Sequence, residues 1–138
     1  MTRGVLVDAG PLIAIVHGGD QDHGACVAAL QRIRAPLLTT WMPITEAMHL
    51  LTFSLQGQEA LLEMIERQAL SVLPIGDQDL PGIRSLMRKY RDLPMDFADA
   101  TLVQAAAREG LRDVLTLDRR DFSIYRLGGR KGFNILRI

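Results

Sequence analysis

The 138-residue chain has one cysteine, Cys26, so no disulfide can close within it, and a lone thiol suits a reducing compartment. Aromatic residues make up only 5%, which leaves little material for a base-stacking platform. No apolar run approaches the roughly 20 residues a membrane-spanning helix needs. The opening Met-Thr-Arg-Gly-Val-Leu-Val-Asp has neither the apolar stretch nor the small-residue cleavage site of a signal peptide. These absences make a cytoplasmic protein without a membrane partner the expectation. Formal net charge is zero, so no overall field attracts a polyanion. There is no internal repeat, low-complexity tract or linker.

What is present is an ordinary globular balance, 48% apolar and 23% charged, in a length that suits one domain over residues 1–138. Charge is unevenly spread. Residues 1–79 carry 4 basic and 9 acidic side chains, and residues 80–138 carry 12 basic and 7 acidic ones. Of the 16 basic residues 14 are arginine, a side chain suited to bidentate pairing with carboxylate or phosphate. Intramolecular pairing and an RNA-binding face explain this asymmetry equally well.

Short apolar strand candidates alternate with helical patterns. Strands are expected at Val5–Val7, Leu37–Thr39, Ser71–Pro74, Val114–Thr116 and Asn134–Leu136. Helices are expected near 11–17, 22–34, 43–55, 57–69, 79–90 and 97–109. This alternation predicts an α/β fold, a three-layer α/β/α sandwich with a mostly parallel sheet of four or five strands. Helix 43–55 is apolar around most of its circumference, as expected of deep burial or of a face shared with a partner chain. In helix 97–109 the polar stripe is Thr101, Gln104 and Arg108. At about 100° per residue Asp99 lies roughly 160° from Thr101, with Asp96 on the same side, so both carboxylates are expected to face inward.

The acids fall into a pattern on this map. Asp8 ends the first strand, Glu46 is expected in the first turn of the helix after the second, Asp96 and Asp99 begin helix 97–109, and Asp118 lies just past the fourth strand. Ligands of open parallel sheets bind outside the carboxyl ends of the strands, where Asp8, Glu46 and Asp118 fall. Asp99 joins them if its helix starts at that edge. Taken singly, each acid has an ordinary structural reading: Asp8 as a turn residue, Glu46 as a favourable charge in a first helical turn, Asp96 as an N-cap, and Asp118 and Asp121 as caps or turns. Taken together they do not, because Asp8 and Asp99 are embedded in apolar sequence with no patterned salt-bridge partner. Clustered carboxylates resist joint ionisation and call for a cation. An all-oxygen set points to Mg²⁺ or Mn²⁺, with Asp8 and Asp99 the expected ligands. His17, His23 and His49 show no zinc-ligand spacing and are read as surface or packing residues.

Four segments carry a family resemblance: Val-Leu-Val-Asp8-Ala-Gly-Pro-Leu, Ile-Thr-Glu46-Ala, Met-Asp96-Phe-Ala-Asp99-Ala-Thr-Leu-Val, and Thr116-Leu-Asp118-Arg-Arg-Asp121-Phe. In this order and at these intervals the sequence resembles a PIN domain, specifically a VapC-type toxin. The resemblance implies Mg²⁺- or Mn²⁺-dependent cleavage of RNA, with the acidic roles on Asp8, Glu46, Asp99 and Asp118 and an orienting hydroxyl at Thr116. Asp96 is either a fifth acid or a helix cap, and Phe122 resembles a core position. The resemblance also implies a cognate antitoxin and a homodimer. Substrate contacts are expected from Arg84, Arg88 and Arg91 at helical spacing, or from Arg126, Arg130 and Lys131 around the glycine-containing loop 126–132; a solvated face or antitoxin pairing explains them as well. Trp41 is core or platform. A phospho-acceptor receiver domain fits poorly, since Asp77 follows the third strand but only Asp8 stands upstream and Lys131 is the one late lysine. A non-catalytic PIN-fold binding module is the alternative from another class.

Overall fold

The computed structural model describes residues 3–138. Five short strands form a parallel sheet: β1 (Val5–Val7), β2 (Leu37–Thr39), β3 (Ser71–Val72), β4 (Asp113–Leu115) and, numbered after a later hairpin, β7 (Asn134–Ile135). Their order is β3-β2-β1-β4-β7, and every pairing in this sheet is parallel. The chain therefore builds outward from β1 to β3, then crosses back to place β4 on the other side of β1. The reversal opens a crevice between β1 and β4 at their carboxyl ends, where such sheets bind ligands.

Helices cover both faces, so the predicted three-layer α/β/α sandwich is the observed fold. Successive side chains of a strand point to opposite faces, and β1 divides accordingly. Val5 and Val7 join a core with Leu12, Ala29, Ile44, Leu51 and Leu61. These come from α1 (Ala9–Val16), α2 (His23–Arg32), α3 (Trp41–Leu50), α4 (Leu55–Glu66) and the α3–α4 turn. Leu6 joins the other core, with Ile83, Leu102, Val103, Phe122 and Tyr125. That face is built by α5 (Leu80–Lys89), α6 (Phe97–Glu109), α7 (Arg119–Ile124) and the residue that follows α7. β4 splits the same way, Val114 to the second core and Leu115 to the first.

Several expectations need correction. The helix expected over 43–55 runs from Trp41 to Leu50, and α4 begins at Leu55 rather than 57. Ser54 stops the continuous pattern by capping α4, its hydroxyl accepting from the Gly57 N–H at 3.0 Å. Glu46 consequently stands in the second turn of α3, not the first. Burial of α3 is one-sided: Ile44 and Ala47 are in the core, whereas Trp41 and Leu50 are about half exposed. Trp41 is thus not a core residue.

The stripe of α6 is not a solvent face. Thr101 is fully buried, and its hydroxyl lies 2.8 Å from that of Thr40. Gln104 and Arg108 reach the carboxylate of buried Asp79, at 3.1 and 2.9 Å. The loop expected at 126–132 is an antiparallel hairpin of β5 (Arg126–Leu127) and β6 (Lys131–Gly132). Its turn uses Gly128 and Gly129 at φ +60° and +91°, a region that glycine enters without a Cβ clash.

Candidate active site

The β1–β4 crevice gathers the acids. Asp8 follows β1 directly and its backbone N–H donates to Leu115 O at 3.1 Å, so the register of the strand pair sets it beside Thr116. It is also the N-cap of α1: Oδ1 accepts from the Ala9 N–H at 2.8 Å, while Oδ2 accepts from the Thr116 hydroxyl at 2.8 Å. The same Thr116 oxygen accepts from the Asp118 N–H at 2.9 Å. One buried threonine therefore fixes the chain after β4 against the chain after β1. Asp118 caps α7, Oδ1 accepting from the Asp121 N–H at 3.3 Å.

Asp99 arrives from α6. A helix returning between parallel strands runs opposite to them, so α6 starts at the carboxyl edge and no antiparallel strand is needed. Asp96 caps this helix, Oδ1 accepting from the Asp99 N–H at 2.7 Å. Asp99 is buried, as expected, and its Oδ2 accepts from the Tyr125 hydroxyl at 2.8 Å. Asp96 is exposed, contrary to the inward orientation expected for both; its position outside the first helical turn turns the side chain to the rim. A cleft of about 400 Å³ is lined by Asp8, Glu46, Asp96, Asp99 and Asp118, with Ala9, Gly10 and Leu117.

These carboxylates have no basic partner. Among the described residues the ion pairs are Arg67–Glu63, Arg108–Asp79 and Arg108–Glu109, all away from the cleft. Burial pushes the Asp8 carboxyl up, against the opposing hydrogen bonds from Thr116 and Ala9 and with added repulsion from Asp96 and Asp118. For Asp99, burial and then the Asp8 charge push the carboxyl up to about 8, although the Tyr125 hydrogen bond favours the anion. Glu46 is raised by burial and by Asp96 and Asp8. Asp118 is raised by burial, and its Asp121 neighbour adds to this. Mutual repulsion in a partly desolvated site is relieved by protonation or by a cation.

Two participants escaped the sequence reading. Asp121, taken as a cap or turn, brings a carboxylate oxygen to within 4.8 Å of oxygens from both Asp99 and Asp118. Its i,i+3 relation to Asp118, the N-cap of α7, is the signal that could have found it. Tyr125, fully buried beneath Asp99, has a hydroxyl held strongly protonated by burial and by the Asp99 charge. Only its spacing of four from Asp121 hinted at the shared face. Of the histidines, His23 places Nδ1 2.7 Å from Ala14 O and His17 packs edge-on against Phe53; neither lines the cleft.

A family model described as PIN domain matches residues 5–128. The chain belongs to the PIN domain family. This PIN domain chain is 25% identical over 134 residues to Ribonuclease VapC26 of Mycobacterium tuberculosis, covering 96% of this chain and 99% of that protein. Its fold resembles that of M. tuberculosis VapC20, a toxin described as cleaving the sarcin–ricin loop, with TM-score 0.72 at 15% identity over 80% of this chain and 86% of that one. It also resembles a chain of a toxin–antitoxin complex from Klebsiella pneumoniae, with TM-score 0.66 at 18% identity over 87% and 91%. A third likeness, TM-score 0.65 at 7% identity over 96% and 98%, is to VapBC2 of Rickettsia felis bound to a fragment of promoter DNA. At these identities the structural likenesses establish the PIN fold alone.

Proposed function

We propose that this chain is a Mg²⁺- or Mn²⁺-dependent endoribonuclease built as one domain over residues 1–138, and that it is the toxin of a type II toxin–antitoxin pair acting in the cytoplasm. The observation that carries the reading is the cleft of five carboxylates, two of them buried, with no basic side chain paired to any. A fold does not by itself assign an activity; the unpaired buried carboxyl groups do point to one, because their ionisation is costly unless a ligand compensates it.

The donor set fits a hard divalent cation: all donors are carboxylate oxygens, and Asp99, Asp118 and Asp121 already converge within 4.8 Å. Asp8 and Asp99 are the proposed principal ligands, with Asp118 and Asp121 completing the set. When bound, the cation supplies polarisation of the phosphodiester, a more acidic water and charge neutralisation at the leaving oxygen. The protein's part is orientation. Thr116 and the Ala9 N–H hold one oxygen each of Asp8, and Tyr125 holds one oxygen of Asp99, while both carboxyl groups line the cleft. Glu46, at the exposed rim of the cleft and outside the proposed ligand set, would orient the attacking water and accept its proton. Asp96 is assigned to capping α6 and to raising the negative potential of the rim.

Protein partners are proposed on the other flank. Phe53 and Leu55, in and just after the α3–α4 turn, are 66% and 72% exposed, with Leu50 and Leu62 about half exposed on the helices that flank it; half-exposed Trp41 stands at the opposite end of α3. Such a patch suits a cognate antitoxin and a second copy of the chain. The fold likeness to a chain of the K. pneumoniae toxin–antitoxin complex is the comparison that favours an antitoxin partner.

Asp8→Asn tests the activity. It keeps the cap acceptor for Ala9 and removes the charge, and cleavage of RNA in Mg²⁺ should fall at least 100-fold with the circular dichroism spectrum unchanged. Cleavage at the parental rate would overturn the assignment. Binding of RNA by the parent without cleavage in either ion would favour a non-catalytic PIN-fold module.

A further inference from the structure

Five of the basic residues line two adjoining recesses beside the β5–β6 hairpin. The β5–β6 hairpin packs against α6, and two recesses meet at Gly128. One, of about 280 Å³, lies between α5, α6 and the hairpin and includes Lys89, Ser85, Gln104 and Arg126. The other, of about 300 Å³, continues on the far side of Gly128 and includes Arg3, Arg112 and Lys131. No aspartate or glutamate lines either recess. None of the five cations forms an ion pair with an acid among the described residues. The groove thus has a cationic lining with no acid in it, as the cleft has an acidic lining with no base in it.

The near recess adjoins the acidic site through buried side chains, whereas Arg3, Arg112 and Gly110 of the far recess stand before β1, before β4 and at the end of α6, on the opposite edge of the sheet. Lys89 is the last residue of α5 and its ammonium lies 5.3 Å from the centre of the Tyr90 ring. The Tyr90 hydroxyl accepts from the Arg126 N–H at 2.9 Å, and the ring meets Tyr125 edge-on at 5.2 Å. Tyr125 in turn donates to Asp99. Two tyrosine rings thus separate the near end of the groove from the acids. Between Lys89 and Lys131 the wall is bare glycine backbone: a Cβ at Gly128 or Gly129 would meet no atom within 4 Å. Backbone without side chains lets a polymer approach closely. By contrast Arg84, Arg88, Arg91 and Arg130 are exposed but line neither recess.

We propose that this groove, through Lys89, Arg126, Arg112, Lys131 and Arg3, receives the phosphate backbone of the RNA substrate and leads it to the acidic cleft. The inference rests on the ribonuclease reading. Its chemistry is that of a backbone-tracking channel, in which cations neutralise phosphates and release counterions. The acids repel phosphate, so this groove supplies the attraction they cannot.

The test measures binding of a fluorescent single-stranded RNA by anisotropy in EDTA, across a salt series. Five phosphate contacts give a slope of log K against log salt of about −3.5. Lys89→Gln with Lys131→Gln removes two lysines whose side chains hold no backbone carbonyl. The slope should fall to about −2.1, and affinity at 0.1 M salt should drop roughly 25-fold. Arg34→Gln with Arg67→Gln removes the same charge elsewhere and should leave both unchanged. Equal effects of the two double variants, or no effect of the first, overturn the groove. RNA cleavage by the parent in Mg²⁺ is read in parallel. Cleavage with an overturned groove leaves the ribonuclease reading standing, whereas neither cleavage nor RNA binding overturns both.

Discussion

Replacing Asp99 by Asn should stabilise the cation-free protein, and the gain should grow with pH. The folded state holds the Asp99 proton to about pH 8, whereas the unfolded chain releases it near 3.8. Between those values the folded state binds more protons than the unfolded one, so stability falls as pH rises through this window. At about 1.36 kcal/mol per pH unit, the full interval is worth at most roughly 6 kcal/mol. At pH 7 only the span up from 3.8 has been crossed, which caps the gain at roughly 4 kcal/mol, and water entering the cleft beside the carboxyl reduces it to about 2 kcal/mol. Asparagine keeps the shape and still accepts from Tyr125, so the change is chiefly one of charge. For a chain of this length a gain of that size raises Tm by roughly 5–10 °C. Calorimetry in EDTA from pH 4 to 8.5 reads it directly: the two melting curves should converge at the acid end and separate above pH 5. Adding Mg²⁺ should reverse the order, since the parent alone keeps the full ligand set. A variant no more stable than the parent at pH 8 in EDTA would refute the reasoning.

Tyr125→Phe removes the donor to Asp99 Oδ2 and should raise the Mg²⁺ concentration for half-maximal RNA cleavage about 10-fold, at a stability cost of about 1 kcal/mol by urea titration. Thr116→Val removes both the donor to Asp8 and the acceptor for the Asp118 N–H; kcat should fall roughly 10- to 100-fold with the sheet intact by circular dichroism. Arg108→Ala leaves buried Asp79 with only the Gly76 N–H and Gln104 as partners. Since the hydrogen bonds from Gly76 and Gln104 and the Arg108 contact together hold Asp79 below the usual carboxylate range, the parent should lose stability as pH drops through that range. The variant should be about 2 kcal/mol weaker at neutral pH in chemical unfolding, with that difference shrinking on acidification.

The sheet and the order of its elements were legible because short strands and crossover helices differ in period, and β1 and β4 are apolar runs bounded by acids. Helix ends were less so. The apolar residues from Ile44 through Leu55 continue across the break at Leu51–Ser54, and only the Ser54 cap marks it. Asp8, Glu46 and Asp118 could be placed at the cleft because the carboxyl edge of a parallel sheet is predictable from chain direction, whereas Asp99 depended on where α6 starts. Asp8, Asp96 and Asp118 turned out to be helix caps as well as cleft residues, so the ordinary and the functional readings share one geometry. Tyr125 was hidden because its role depends on α7 packing under α6, a contact that no local pattern encodes. Thr101, Gln104 and Arg108 misled for the same reason: a polar stripe looks alike whether it faces water or a buried Asp79.

The most direct measurement of the central claim is RNA cleavage by the purified parent after exhaustive EDTA treatment, followed by titration with Mg²⁺ or Mn²⁺. Expected are no cleavage in chelator, recovery on adding either ion, and a parallel rise in Tm that Asp99→Asn lacks. Full-rate cleavage in EDTA, or recovery with no dependence on Asp8 and Asp99, would contradict it.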